Sequence, residues 1–130
     1  MTTKIAYATA FLTGLGLIFI GGRFLLSPIV AEAGYGIHVN VGGDYSFQYI
    51  KGIRDVFSGG LFCLLVLMNE RRALGATLLL GTIVPVTDLL IVLHKSYNGL
   101  AQAVPHISAI VICAVLGIVL LTAKTSKKAS

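Results

Sequence analysis

Four apolar blocks dominate the chain, at roughly residues 4–26, 48–68, 72–94 and 103–123. Each is close to the ~20 residues that a helix needs to cross a bilayer. Backbone N–H and C=O groups in lipid must find partners within their own segment, so blocks of this length read as helices. The pattern predicts an all-α fold: an integral membrane four-helix bundle of antiparallel up-down topology. Residues 1–130 would form a single, multi-pass membrane domain. Composition agrees, with 56% hydrophobic residues and only 12% charged, about half the charged share of a soluble domain. The first block is long for a signal peptide. It has only Lys4 ahead of it and ends at Arg23 rather than at a small-residue cleavage site, so it reads as a span.

The net charge of +5 follows topology, so nucleic acid is not expected as a partner. With four spans, Lys4, Arg71, Arg72, Lys124, Lys127 and Lys128 fall on one side, and only Lys95 stands outside the apolar blocks on the other. Positive residues stay inside, which predicts that both the N and C termini are cytoplasmic. The tail from residue 124 to 130 reads as a disordered stop-transfer flank that binds anionic lipid head groups at most secondarily. Cys63 and Cys113 sit at different expected depths and read as small buried hydrophobes rather than a disulfide pair. No zinc spacing is present, and no metal or cofactor is expected.

Short connections join spans 2 and 3 ("MNERRALG") and spans 3 and 4 ("KSYNGLAQAVP"). Asn98-Gly99 is a turn signal, and Pro105 is expected in the first turn of span 4. Residues 27–47 form a longer outward loop. Its partly alternating stretch "GYGIHVNVGGDYSFQY" predicts a short hairpin that would act as a lid. Glycines recur inside the spans and predict close helix packing, within one chain or between copies. Pro85 predicts a kink in span 3 just before Asp88.

One stretch breaks the apolar rule. In "QYIKGIRDVFS", Gln48, Lys51, Asp55 and Ser58 recur on one helical stripe, with Arg54 alongside Lys51. Arg23 near the end of span 1, Asp88 in span 3 and His106 at the start of span 4 lie at similar depth. At ~1.5 Å rise per residue these six form a layer roughly 10 Å deep in the outer half of the membrane. Ionised side chains within a bilayer are costly and normally face a bundle interior or a wet cavity. The layer therefore predicts an outward-facing pocket for a small, partly apolar ligand. Asp88, Asp55 and His106 are the catalytic candidates, and Arg23, Arg54 and Lys51 the ligand-binding ones.

Such a set suits cofactor-free acid/base chemistry on a lipophilic substrate, of isomerase or cyclase type, with the arginines stabilising developing negative charge. A competing reading is a structural network, with Arg54 paired to Asp88 and Arg23 to Asp55, Lys51 snorkelling to head groups and His106 satisfied at the interface. Small-solute or proton transport by a homo-oligomer is a third. No nucleophile motif or glycine-rich phosphate loop is present.

With "KGIRD" at 51–55, "ERRALG" at 70–75, "PVTDLLIV" at 85–92 and His106, the chain resembles small four-helix membrane proteins of unknown function. In general pattern these are similar to the DoxX-like proteins. The resemblance runs from the first span through His106. It implies the four-span bundle and marks Arg54, Asp55 and Asp88 as family-like positions. Some DoxX-like proteins are subunits of quinone-linked sulfur oxidation systems, so it also implies an accessory role beside a membrane partner protein.

Overall fold

A computed structural model describes residues 1–39 and 42–124. The chain is all-α, and no strand forms among the described residues. Six helices follow one another: α1 (Thr2–Leu26), α2 (Pro28–Tyr35), α3 (Ser46–Leu67), α4 (Arg71–Gly81), α5 (Ile83–Leu93) and α6 (Leu100–Thr122). The four apolar blocks are present, but a count of four does not describe the helices. The third block is divided at Thr82, and α2 is an addition that hydropathy did not reveal.

Among the described residues, three stretches are long and apolar enough to cross a membrane: Thr2–Leu26, Arg71–Leu93 across its break, and Leu100–Thr122. At 22 residues α3 has the length but carries Lys51, Arg54 and Asp55.

Glycine sets the helix pairing. A Cβ on Gly21 would lie 2.5 Å from the Gly52 carbonyl oxygen, and one on Gly59 would fall on the Gly14 carbonyl oxygen. The positions pair in descending order along α3 as they ascend along α1, so the two helices are antiparallel and nearly in backbone contact. In the same way α4 and α6 meet through Gly75 and Gly117. Leu74, Leu78, Leu116 and Leu120 join Ala6, Ala10 and Phe62 in the apolar core between the two pairs. Met1, Thr2 and Thr3 border one shallow depression with Thr122 and Lys124, so the described ends of the chain meet at the same end of the bundle.

The connections follow local chemistry. Residues preceding proline avoid the helical region, and α1 stops one residue short of Ser27-Pro28, with Pro28 opening α2. Gly36, at φ 93°, closes α2 in the left-handed conformation. No strand forms in the described part of the stretch expected to be a hairpin. Residues 28–35 are helical instead, while Asn40 and Val41 of the stretch lie outside the described residues. An Asp44 side chain accepting the Ser46 N–H at 3.0 Å leads into α3.

Between α3 and α4, Asn69 takes φ 58°. Glu70 N–H donates to Leu65 O and Asn69 N–H to Val66 O, a Schellman closure with asparagine in place of glycine. Arg71 donates to the Leu120 carbonyl, which ties the α4 start to the exposed carbonyl end of α6.

The kink in span 3 sits at Thr82, three residues before Pro85. Proline at position i removes the bond to the carbonyl at i−4 and clashes with it, here Gly81, so the break falls below the proline rather than beside Asp88. Pro105 is likewise displaced from expectation. Gln102 Oε1 accepts the Gly99 N–H at 2.9 Å and starts α6 at Leu100, which leaves Pro105 inside the helix. The tail expected to be disordered lies, from residue 125 on, outside the described residues.

Candidate functional site

The end of the bundle opposite the termini is polar where the rest is apolar, and α2 organises it. This helix contacts α1, α3 and α6. Its last residue, Tyr35, reaches among all of them. The Tyr35 ring stands edge-on to Phe24 (centroids 5.8 Å apart) and to His106 (4.7 Å). The Lys51 ammonium lies 4.8 Å from the Tyr35 ring centroid and 5.3 Å from that of Phe24, a cation–π seat on two faces.

Lys51 also forms an ion pair with Asp55 one helical turn away, and both side chains are nearly buried, at 13% and 12% exposure. A carboxylate and two aromatic rings therefore hold the ammonium inside the bundle. It does not snorkel outward, and Lys51 rather than Arg23 is the partner of Asp55.

His106 is 5% exposed. Its Nε2 stands 3.1 Å from the Tyr35 carbonyl oxygen. A carbonyl only accepts, so Nε2 carries a proton and donates to it. The Asp88 carboxylate stands beside the Tyr35 hydroxyl. Burial pushes that hydroxyl well above the usual tyrosine range, with the Asp88 contact adding in the same direction. Tyr35 is thus a neutral phenol at any physiological pH, with the Asp88 carboxylate near enough to favour that form.

One turn above Lys51, Gln48 is fully buried. Its Nε2 donates to the Glu32 carboxylate of α2, and its Oε1 has no partner among the described residues. Glu32 also accepts the Val39 N–H at 3.0 Å.

Of the residues proposed from sequence, Lys51, Asp55, Asp88 and His106 come together around Tyr35. Arg23 and Arg54 are exposed. Arg54 is near enough for its charge to oppose the rise at Tyr35. The two most developed surface depressions lie elsewhere. One is lined by Leu90, Ile91, His94 and Lys95, the other by residues at the two described termini.

Tyr35, Phe24 and Glu32 were not proposed from sequence. A signal for α2 was present, with proline at a helix start and glycine eight residues later at its stop. Nothing in the sequence, however, indicates which way Tyr35 points.

Chemically, the cluster offers a neutral phenol near a carboxylate, an imidazole bonded through Nε2 alone among the described residues, and an ion pair already satisfied internally. The first three can bind a polar group and pass a proton. Among the described residues, no group of three or more histidines, cysteines or acids is placed to hold a metal.

No curated protein and no solved structure matches the chain. A family model does match, over residues 14–120, and this span contains every member of the Tyr35 cluster; the chain belongs to that family, described as a domain of unknown function (DUF4267).

Proposed function

We propose that the chain crosses the membrane four times, with both termini cytoplasmic. At its outward end it would bind a small, partly apolar molecule at the Tyr35 cluster. The observation that carries this reading is the Tyr35 hydroxyl beside the Asp88 carboxylate, walled by Phe24 and His106, where most of the surrounding protein is apolar. A buried, strongly perturbed titratable group with a specific charged neighbour is a functional-site candidate.

Asp88 and Tyr35 would share a proton with the ligand's polar group, and His106 Nδ1 would accept or relay it. Asp55 would act on Lys51, fixing the positive charge under the rings. Arg54 and Arg23 at the rim would favour an electron-rich or anionic ligand group. This set supports cofactor-free acid/base chemistry on a lipophilic substrate, of isomerase or cyclase type.

The test is a thermal-shift screen of detergent-purified protein against lipophilic acids, quinones, sterols and terpenoids. A ligand that binds only the native state adds ~2.7 kcal/mol at 100 times its dissociation constant. The expected result is stabilisation by one chemical class, lost in Asp88→Asn and Tyr35→Phe variants that still fold. A wild type that responds to none of these classes would sink the reading.

A second reading, an accessory subunit of a membrane complex as in some DoxX-like proteins, draws on the outer glycines. Gly16, Gly22, Gly60 and Gly81 meet nothing within 4 Å of a built Cβ, a surface on which another helix could lie close. Co-purification of a stoichiometric partner from native membranes in mild detergent is the result it requires.

A further inference from the structure

We infer that the Tyr35 cluster is reached sideways from the bilayer, between α3 and α5, and that its ligand is a membrane-dissolved amphiphile entering polar head first. The inference rests on the binding reading above and adds the class of ligand and its route.

The aqueous end of the cluster is roofed. Asn98 Nδ2 donates to Gly36 O at 2.6 Å and to Val92 O at 2.8 Å, which staples the end of α2 to the end of α5. The His38 N–H donates to the Tyr97 hydroxyl at 3.1 Å. Gly36 is packed so tightly that a Cβ there would lie 3.1 Å from both Val92 and Gln102. On its other side α2 is held by the Glu32–Gln48 bond and by the His106 contact with Tyr35 O. A solute arriving from water would have to break several of these bonds at once.

The side of the bundle is different. Both halves of span 3 pack against α6; below the break at Thr82 α4 also meets α3, whereas above it no Cα of α5 comes within 8 Å of α3. The upper half of span 3 thus stands apart from α3. Asp88 of α5 and the Lys51–Asp55 pair of α3 face the Tyr35 hydroxyl closely enough for the charges of Asp88 and Asp55 to act on it. Below them, Ser58 lies one turn from Asp55 on α3, and Val84 one turn from Asp88 on α5. The flanks of the opening are apolar and outward-facing, with Phe57 at 69% and Val84 at 47% exposure. A molecule already in the lipid meets no hydrogen-bonded barrier there. Its head would reach Asp88 and Tyr35 while its body stayed between the helices.

Carbodiimides of opposite solubility test the route, because they react with protonated carboxyl groups and differ in the phase that carries them. The full chain in liposomes at mildly acidic pH is treated with dicyclohexylcarbodiimide or with a water-soluble carbodiimide, and adducts are mapped by mass spectrometry. The exposed Asp44 serves as the internal control for the aqueous reagent.

The expected result is Asp88 labelled by the lipophilic reagent and not by the aqueous one. Labelling should slow several-fold in Ser58→Trp, with Val84→Trp as the substitute should the first variant not fold. Aqueous labelling of Asp88 at the rate of Asp44 overturns the inference. So does absence of labelling by either reagent, and so does lipophilic labelling indifferent to both tryptophans. The experiment needs no ligand. A sideways route without any stabilising ligand in the screen therefore defeats the binding reading alone, and the converse result defeats the route alone.

Discussion

The two ends of this bundle are held together by opposite means. Toward the termini, helices touch through glycine and leucine, with α1 and α3 so close at Gly14 and Gly59 that no side chain fits between them. At the other end α1 and α3 still touch at Gly21 and Gly52, but α5 makes no backbone approach to α3, and polar side chains gather around one tyrosine that a separate helix delivers. Dispersion and shape complementarity need no special partner, so the first end tolerates little change in volume but any apolar chemistry that fits. Hydrogen bonds and charges in a low-dielectric setting need particular partners, so the second end tolerates little change in chemistry. Packing alone does not require an expensive polar end in a membrane bundle.

Four perturbations sharpen or break that comparison. The largest effect is expected from Lys51→Met or Asp55→Ala alone, because each leaves a nearly buried charge without its partner. Losses of about 3–5 kcal/mol are typical for that change. A double Lys51→Met/Asp55→Leu variant should recover much of the loss in thermal unfolding. If the single variants are as stable as the wild type, the pair is solvated and the polar end is not a low-dielectric site.

Next comes Gly59→Ala, where the new methyl meets the Gly14 backbone rather than a movable side chain. Overpacking costs about 1–3 kcal/mol, occasionally more, read as a lowered unfolding temperature. An unchanged temperature would mean that the α1–α3 pair has room to separate.

Tyr35→Phe removes one hydroxyl facing a partly exposed carboxylate. The expected cost is about 1–2 kcal/mol, at the low end for bonds to charged groups. The same variant carries a pH signature. The folded-state pKa of Tyr35 is raised, so its contribution is fully present below the ordinary tyrosine value of ~10 and is lost as pH climbs above it. Unfolding temperature should therefore fall more steeply at alkaline pH in the wild type than in Tyr35→Phe. Parallel curves would place Tyr35 outside the network.

The smallest effect is expected from Gly16→Ala, where a Cβ meets open space. Removing a mid-helix glycine gains about 0.5–1 kcal/mol. Clear destabilisation or a change in oligomeric state would instead mean that Gly16 packs against another chain.

Much of the fold was legible along the chain, because the demand that lipid makes on a helix is local. Each apolar block satisfies its own backbone, so the blocks at 4–26 and 103–123 reappear as α1 and α6 within a few residues. The break in span 3 was legible for the same reason. Pro85 acts on the carbonyl four residues before it, and only the exact residue, Thr82, was misjudged. The helix at 28–35 was passed over because a short alternation of apolar residues outweighed the stronger punctuation of Ser27-Pro28 and Gly36. That short helix draws its stability from docking on three others rather than from its own propensity.

The site divides along the same line. Sequence alone was enough to put Lys51, Asp55, Asp88 and His106 at one depth, since depth is a matter of position along a helix. Which of them meet is a matter of rotation and tilt, and those depend on packing across the bundle. The glycine contacts of α1 with α3 turn Lys51 and Asp55 inward and leave Arg54 exposed. The divergence of α5 sets Asp88 across a gap, and the docking of α2 brings in Tyr35, a residue that its own neighbours in the sequence do not single out. Periodicity determined the layer of charge; only the tertiary structure decided its centre, because side chains distant in sequence meet through helix packing that no single segment encodes.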